Sequence, residues 1–245
     1  MISKNDFIEL KNIFAEVAEQ RYKWTEDDTL LSYDAHKTLL KEVSPKHVAS
    51  LMHYTEKYAL HFIASRLSPG SVVVEVGGFL GGSAAVMAHA NPTICVISID
   101  QYDTKNHSVH EDQQKMIDDV YGVGKARTLE NAKQWIGYNN VHLFEAVSPY
   151  DLFQYHIDNK QIDVYFEDAV HSDPGLAANI DFWFPKVVKG GLVIMHDYRP
   201  WLPPHLSQPP YRFPDVERHV DQLVKSKYTE ILVHVRGLVV MRKLV

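Results

Sequence analysis

A single cysteine, Cys95, stands in 245 residues, so no internal disulfide can form and nothing asks for an oxidising compartment. Long apolar runs are missing too. None approaches the roughly 20 residues of a membrane-spanning helix. The opening MISKNDFIEL is polar and lacks the apolar core of a signal peptide. A soluble, cytoplasmic protein is the expectation. An excess of positive charge is also absent: 25 Lys+Arg stand against 31 Asp+Glu, a formal net charge of −6. The resulting pI of about 6.1 argues against nucleic acid or a membrane surface as partner, since both call for a positive field. What the chain does have is 45% hydrophobic and 23% charged residues. Those proportions exclude disorder and fibrous architectures and allow one sizeable core.

Residues 1–67 read as helices, with Phe7, Leu10, Phe14, Val17 and Ala18 at three- and four-residue spacing and a second stripe through Leu51, Tyr54, Tyr58, Phe62 and Leu67. Ser44-Pro45 suits a helix start, and Pro69-Gly70 closes the region. Short β-branched runs then alternate with helical stretches. The strand runs fall at 72–74, 94–99, 141–144, 164–166 and 192–195. Helices are predicted at 83–89, around 111–135, at 150–157, at 174–188 and near 216–225. This alternation implies βαβ units and a parallel sheet covered on both faces, which explains strands that are apolar throughout. Runs at 230–235 and 238–243 are separated only by Arg236-Gly237, too short for a crossover helix, so the last two strands must be antiparallel neighbours. Between the fifth strand and the last helix lies RPWLPPHLSQPPYRFP, residues 199–214, a loop of the length that usually carries function.

The most informative segment is Glu75-Val76-Gly77-Gly78-Phe79-Leu80-Gly81-Gly82-Ser83. A strand, a glycine turn and a helix start form the nucleotide cradle of an open α/β sheet. A dinucleotide loop would put its second glycine where Phe79 stands, and no Gly-Lys-Ser/Thr follows to grip a triphosphate. Glu75, buried at a strand tip, would repel a pyrophosphate but suit a cationic ammonium or sulfonium group. Asp100 ends the second strand about 20 residues on, where an acid accepts hydrogen bonds from ribose hydroxyls. The plainer alternative has Glu75 binding backbone and Asp100 capping the next turn.

This segment, continued by Ala84-Ala85-Val86-Met87-Ala88, resembles motif I of class I S-adenosylmethionine-dependent methyltransferases. The similarity is closest to the catechol and caffeoyl-CoA O-methyltransferase type and to related bacterial sugar and macrolide O-methyltransferases. It runs from about Tyr54 to the C-terminus. The resemblance implies a Rossmann-like, doubly wound α/β sheet of seven strands, mostly parallel with an antiparallel C-terminal hairpin. It implies an S-adenosylmethionine-dependent methyltransferase domain at 68–245 beside an N-terminal helical cap at 1–67. It also implies that Glu75, Gly77, Gly78, Phe79 and Ser83 face the methionine part of the cofactor, that Asp100 and Gln101 lie at its ribose and Ser148 near its adenine, and that Asp168 belongs to the same surface.

Two further strand ends carry chemistry: Phe166-Glu167-Asp168-Ala169-Val170-His171 and Met195-His196-Asp197. In a doubly wound sheet both lie at the carboxyl edge beside the glycine loop. Asp168, His196 and Asp197 suit Mg²⁺ or a similar divalent ion. Metal-dependent relatives carry Asp at the place of Asp168 and Asp-Asn or Asp-Asp at the place of His196-Asp197. Histidine at His196, and Val170 where many relatives have a second Asp, are departures. His171, three residues after Asp168 where catechol-type enzymes carry a lysine, is the expected general base. An ordinary hydrogen-bonded loop cluster accounts for the same residues without chemistry.

The chain has 14 histidines, so a lone one weighs little; His107 and His110 read as a solvated helix face and Cys95 as strand packing. Trp201, Tyr211 and Phe213 could wall an acceptor pocket or pack on the N-terminal helices. The expected activity is methyl transfer from S-adenosylmethionine to a small-molecule hydroxyl, with a divalent metal assisting and the apolar N-terminal helices available to pair two copies. A cofactor-binding protein without catalysis is the rival from another class. A nicotinamide-dependent oxidoreductase is disfavoured by Phe79 and Glu75, and a metal-dependent hydrolase by the lack of ligand spacing.

Overall fold

Valines and isoleucines fill the strand runs because a sheet covered on both faces buries every residue it carries. In the computed structural model, which describes residues 2–19, 52, 54–102, 118, 128–152, 161–199 and 212–245, they form one seven-stranded sheet. Its strands are β1 (Val72–Val76), β2 (Cys95–Asp100), β3 (Val141–Glu145), β4 (Ile162–Glu167), β5 (Val187–Met195), β6 (Thr229–Val235) and β7 (Leu238–Lys243). Their spatial order is β3-β2-β1-β4-β5-β7-β6. β1 to β5 pair in parallel, whereas β7 is antiparallel to both β5 and β6. The hairpin strand is thus wedged inside the sheet, and β6 points the same way as the first five. Its turn, Arg236-Gly237, therefore returns to the edge where β1, β4 and β5 end.

The described helices are α1 (Lys4–Glu19), α2 (Tyr54–Ser65), α3 (Gly82–Ala90), α4 (Leu129–Ile136), α5 (Gly175–Trp183) and α6 (Pro214–Lys225). Strand periodicity divides the core between the two faces. Val73, Val96, Val164 and Ile194 pack with Phe7 and Leu10 of α1, Leu60 and Ile63 of α2, and Met87 of α3. Val74, Ile97, Tyr165 and Val193 point the other way, onto Ile180 and Trp183 of α5 and Val220 of α6. The N-terminal helices therefore share a core with the sheet, and packing runs straight across residue 67.

Helix α5 stops earlier than its apolar pattern predicts. Pro185 cannot continue an α-helix; the chain makes one 3₁₀ turn over Phe184–Lys186, and β5 begins at Val187 instead of Leu192. Residues 148–152 form turns where a helix from 150 was expected. The rest of that helix, most of the 111–135 helix, Ser44-Pro45, His107, His110, Trp201, Tyr211 and residues 200–211 lie outside the described residues.

Candidate active site

Backbone geometry fixes the glycine loop. Gly77 has φ +96°, and a Cβ there would sit 2.3 Å from the Asp168 carbonyl oxygen. The glycine lets the end of β4 pass directly against the end of β1. Phe79 holds a positive φ of 46°, and its amide donates to Asp100 Oδ2 at 2.8 Å while the Tyr102 amide donates to Oδ1 at 3.0 Å. Asp100 is therefore the clasp of this loop, half-buried beside Gln101. That is the turn-capping role its position allowed.

Glu75 is fully buried. Ser83 Oγ donates to its Oε1 and Ser98 Oγ to its Oε2. Burial pushes its pKa up to about 7, the serine bonds pull it down, and the charges of Asp168 and Asp100 push it up again. Both oxygens are thus met by hydroxyls of the chain itself. Ser98 was not picked out from the sequence, although the parallel register sets it directly opposite Glu75. Gly78 is tied to the same serine: a Cβ on it would fall 2.2 Å from Ser98 Oγ. Farther along the edge, Ser148 Oγ accepts the Trp183 indole N–H at 3.0 Å, so this hydroxyl is anchored from beneath by α5.

The second half of the edge is built from charge. Asp168 follows β4; His196 and Asp197 follow β5, Asp197 with φ +59°. His196 Nδ1 lies 3.0 Å from Asp168 Oδ1 and 3.4 Å from Asp197 Oδ2, and its Nε2 lies 3.3 Å from Glu56 Oε2. His171 Nε2 lies 2.8 Å from Asp197 Oδ2, and its ring packs on Phe213 with centroids 4.3 Å apart. Burial would lower the pKa of both histidines, but the surrounding carboxylates overcome it: His171 is raised, and His196 is raised well above the ordinary imidazole value. Burial would lift Asp197 too, yet the two imidazoles hold it far below the usual carboxylate range. Asp168, more deeply buried, is raised by that burial in spite of His196.

Beneath this cluster Glu167 is buried, accepting from the Tyr165 hydroxyl, from the Ala169 and Val170 amides and from Asn179. It braces the loop that carries Asp168 and His171, and burial pushes its pKa up to about 7 against those bonds. Neither Glu56 nor this bracing network was legible from the sequence.

The donor set fits a divalent cation. Asp168, His171 and Asp197 each offer a ligand atom within 4.8 Å of the others, and His196 Nδ1 faces the same two carboxylates. Two imidazoles therefore compete for one pair of acids. Two hard oxygens and one imidazole nitrogen suit Mg²⁺, Mn²⁺ or Zn²⁺.

Residues 74–198, more than half of the chain, match the family described as a methyltransferase domain. No curated relative matches the sequence. Among solved structures the likeness is one of fold. A Staphylococcus aureus protein provisionally assigned as a caffeoyl-CoA O-methyltransferase is 16% identical, the match covering 96% of this chain and 99% of that one, with a TM-score of 0.52. The O-methyltransferase TomG from Streptomyces achromogenes, solved with S-adenosylmethionine, is 15% identical over 100% of both chains with a TM-score of 0.50. MycE from the mycinamycin biosynthetic pathway, solved with Mg and S-adenosylhomocysteine, is 14% identical over 84% of this chain and 54% of that one, with a TM-score of 0.50.

Proposed function

The chain belongs to the methyltransferase-domain family, and on that premise we propose that it transfers the methyl group of S-adenosylmethionine to an oxygen of a small-molecule acceptor. One observation carries the reading: Asp168, His171, His196 and Asp197 converge from two strand ends directly beside the glycine loop. Fold neighbours solved with S-adenosylmethionine or its demethylated product support the cofactor. The acidic net charge favours a small acceptor over nucleic acid.

The cofactor's sulfonium is already activated, so the protein supplies positioning and deprotonation. Gly77, Gly78 and Phe79 shape the turn against which the methionine part would lie, with Glu75 and Ser83 behind it. Asp100, Gln101 and Ser148 line the nucleoside side. At the acceptor, the oxygen–carbon bond forms as the sulfur–carbon bond breaks, and the sulfonium becomes a neutral thioether. The hydroxyl proton goes to His171. His171 Nε2 lies at ion-pair distance from Asp197 Oδ2, 2.8 Å, so Nδ1 is the nitrogen that would take that proton. A divalent ion held by Asp168, Asp197 and His196 would lower the hydroxyl's pKa as a Lewis acid. Of the two imidazoles His196 is the better ligand, because its far nitrogen already rests on a carboxylate, as metal-binding histidines usually require.

Turnover of methyl-labelled S-adenosylmethionine against a panel of catechols, sugars and polyketides tests the proposal. Labelled O-methyl product, lost or reduced on chelation, is the expected result. Cofactor binding with no methylated acceptor would favour a binding protein without catalysis, and failure to bind S-adenosylhomocysteine in calorimetry would end the reading.

A further inference from the structure

We propose that Glu56, on a helix outside the family-matched segment, is a positioning residue of the active site that fixes the ring of His196. It lies in the first turn of α2, where the helix dipole favours an acid, and it is only 4% exposed. A carboxylate so buried is costly unless its oxygens meet donors or opposite charge; here one accepts a hydrogen bond and the other faces an imidazole at ion-pair distance. Oε1 accepts the Gly237 amide at 2.9 Å; Oε2 lies 3.3 Å from His196 Nε2. Gly237 in turn accepts the Tyr198 amide at 2.9 Å through its carbonyl, and a Cβ on it would come within 3.4 Å of the Asp197 amide nitrogen. One carboxylate therefore joins the N-terminal helices, the β6–β7 turn and the segment that carries His196 and Asp197.

The consequence is directional. With Nε2 turned to Glu56 at ion-pair distance, the ring presents Nδ1 to Asp168 and Asp197. An acid behind a histidine fixes which nitrogen carries the proton and where the other one points. Arg236 and Lys57 add positive charge around Glu56 at longer range, so a general charge balance exists without His196. The Glu56–His196 contact is a specific one.

The assignment rests on the catalytic reading of this edge, but its decisive measurement does not. In a nitrogen-edited spectrum of the full chain, His196 should show an Nε2 proton protected from solvent exchange, assigned by its loss in His196→Gln. Glu56→Ala should abolish that protection in a folded protein and lower kcat by about 10- to 100-fold, with S-adenosylhomocysteine affinity nearly unchanged. A folded Glu56→Ala that keeps the protected proton overturns the proposal whatever the enzyme's activity. Should Glu56→Ala fail to fold, Glu56→Gln decides, because its NH2 group replaces one of the two oxygens that face Gly237 and His196 and cannot accept there. Loss of protection at either donor, with a fall in kcat, supports the role; protection kept at both with wild-type turnover overturns it.

Discussion

The two halves of the carboxyl edge are built on opposite principles. At the end of β1 the chain answers its own polar groups: Ser83 and Ser98 occupy Glu75, and two backbone amides occupy Asp100. Conformation is set there by glycines that steric contact does not let vary. At the ends of β4 and β5 nothing is self-sufficient. Asp168, His171, His196 and Asp197 face one another at ion-pair distances, and Glu56 reaches in from far away in sequence. Among the described residues, the buried ring nitrogens His171 Nε2, His196 Nδ1 and His196 Nε2 are left without a hydrogen-bond partner. The first half is a preformed cradle. The second is a set of charges whose protonation and donor geometry depend on all of its members, which is what proton transfer and ion binding need.

The sharpest way to break this contrast is Asp197→Ala. It removes the partner of His171 and one of the two acids facing His196, so turnover should fall by about 10²–10⁴-fold, measured with labelled cofactor, while S-adenosylhomocysteine binding survives in calorimetry. Collapse of both together would move Asp197 to the cofactor half. The next largest effect concerns His171. As a base it must be neutral, and its pKa is raised above 6.5 by Asp197 in spite of burial. The kcat/KM profile should therefore climb with pH through a value above 6.5, and His171→Gln should flatten the climb and cost about 100-fold.

The cradle's signature is stability. Between the ordinary 4.5 and about 7, folded Glu75 keeps a proton that the unfolded chain has already released. Stability must therefore fall as pH rises across that window, by about 3 kcal/mol. Glu75→Gln should remove its share of that decline in urea unfolding at pH 4.5 and pH 7, leaving the share of Glu167, raised over the same window, and an unaltered slope would count against the buried acid. Smallest of all, Ser148→Ala strips the Trp183 indole of its acceptor and should cost about 1 kcal/mol in thermal melts.

The contrast also explains what could be read from residues alone. All seven strands and the antiparallel hairpin were legible because short apolar β-branched runs between helical stretches and the short Arg236-Gly237 link leave few topologies. The glycine loop was legible because glycine is placed by local sterics. Ser98 was hidden inside an apolar strand, and only the register that pairs it with Glu75 reveals its role. Glu56 looks like any acid in the first turn of an amphipathic helix; its meaning comes from a contact 181 residues away. Local rules mark the cradle and put Asp168, His171, His196 and Asp197 at strand ends, while the approach of Glu56 to His196 depends on a tertiary distance that no spacing encodes.

The position of β7 between β5 and β6 has a consequence for biosynthesis. A ribosome delivers Glu56 early, yet the amide it must receive arrives only with residue 237. Throughout most of translation that acid waits without its partner, and the antiparallel wedge strand enters a sheet whose six other strands are already made. Nascent chains halted short of the final hairpin should expose an open slot beside β5, a natural foothold for chaperones, and should be inert even with the glycine loop fully formed.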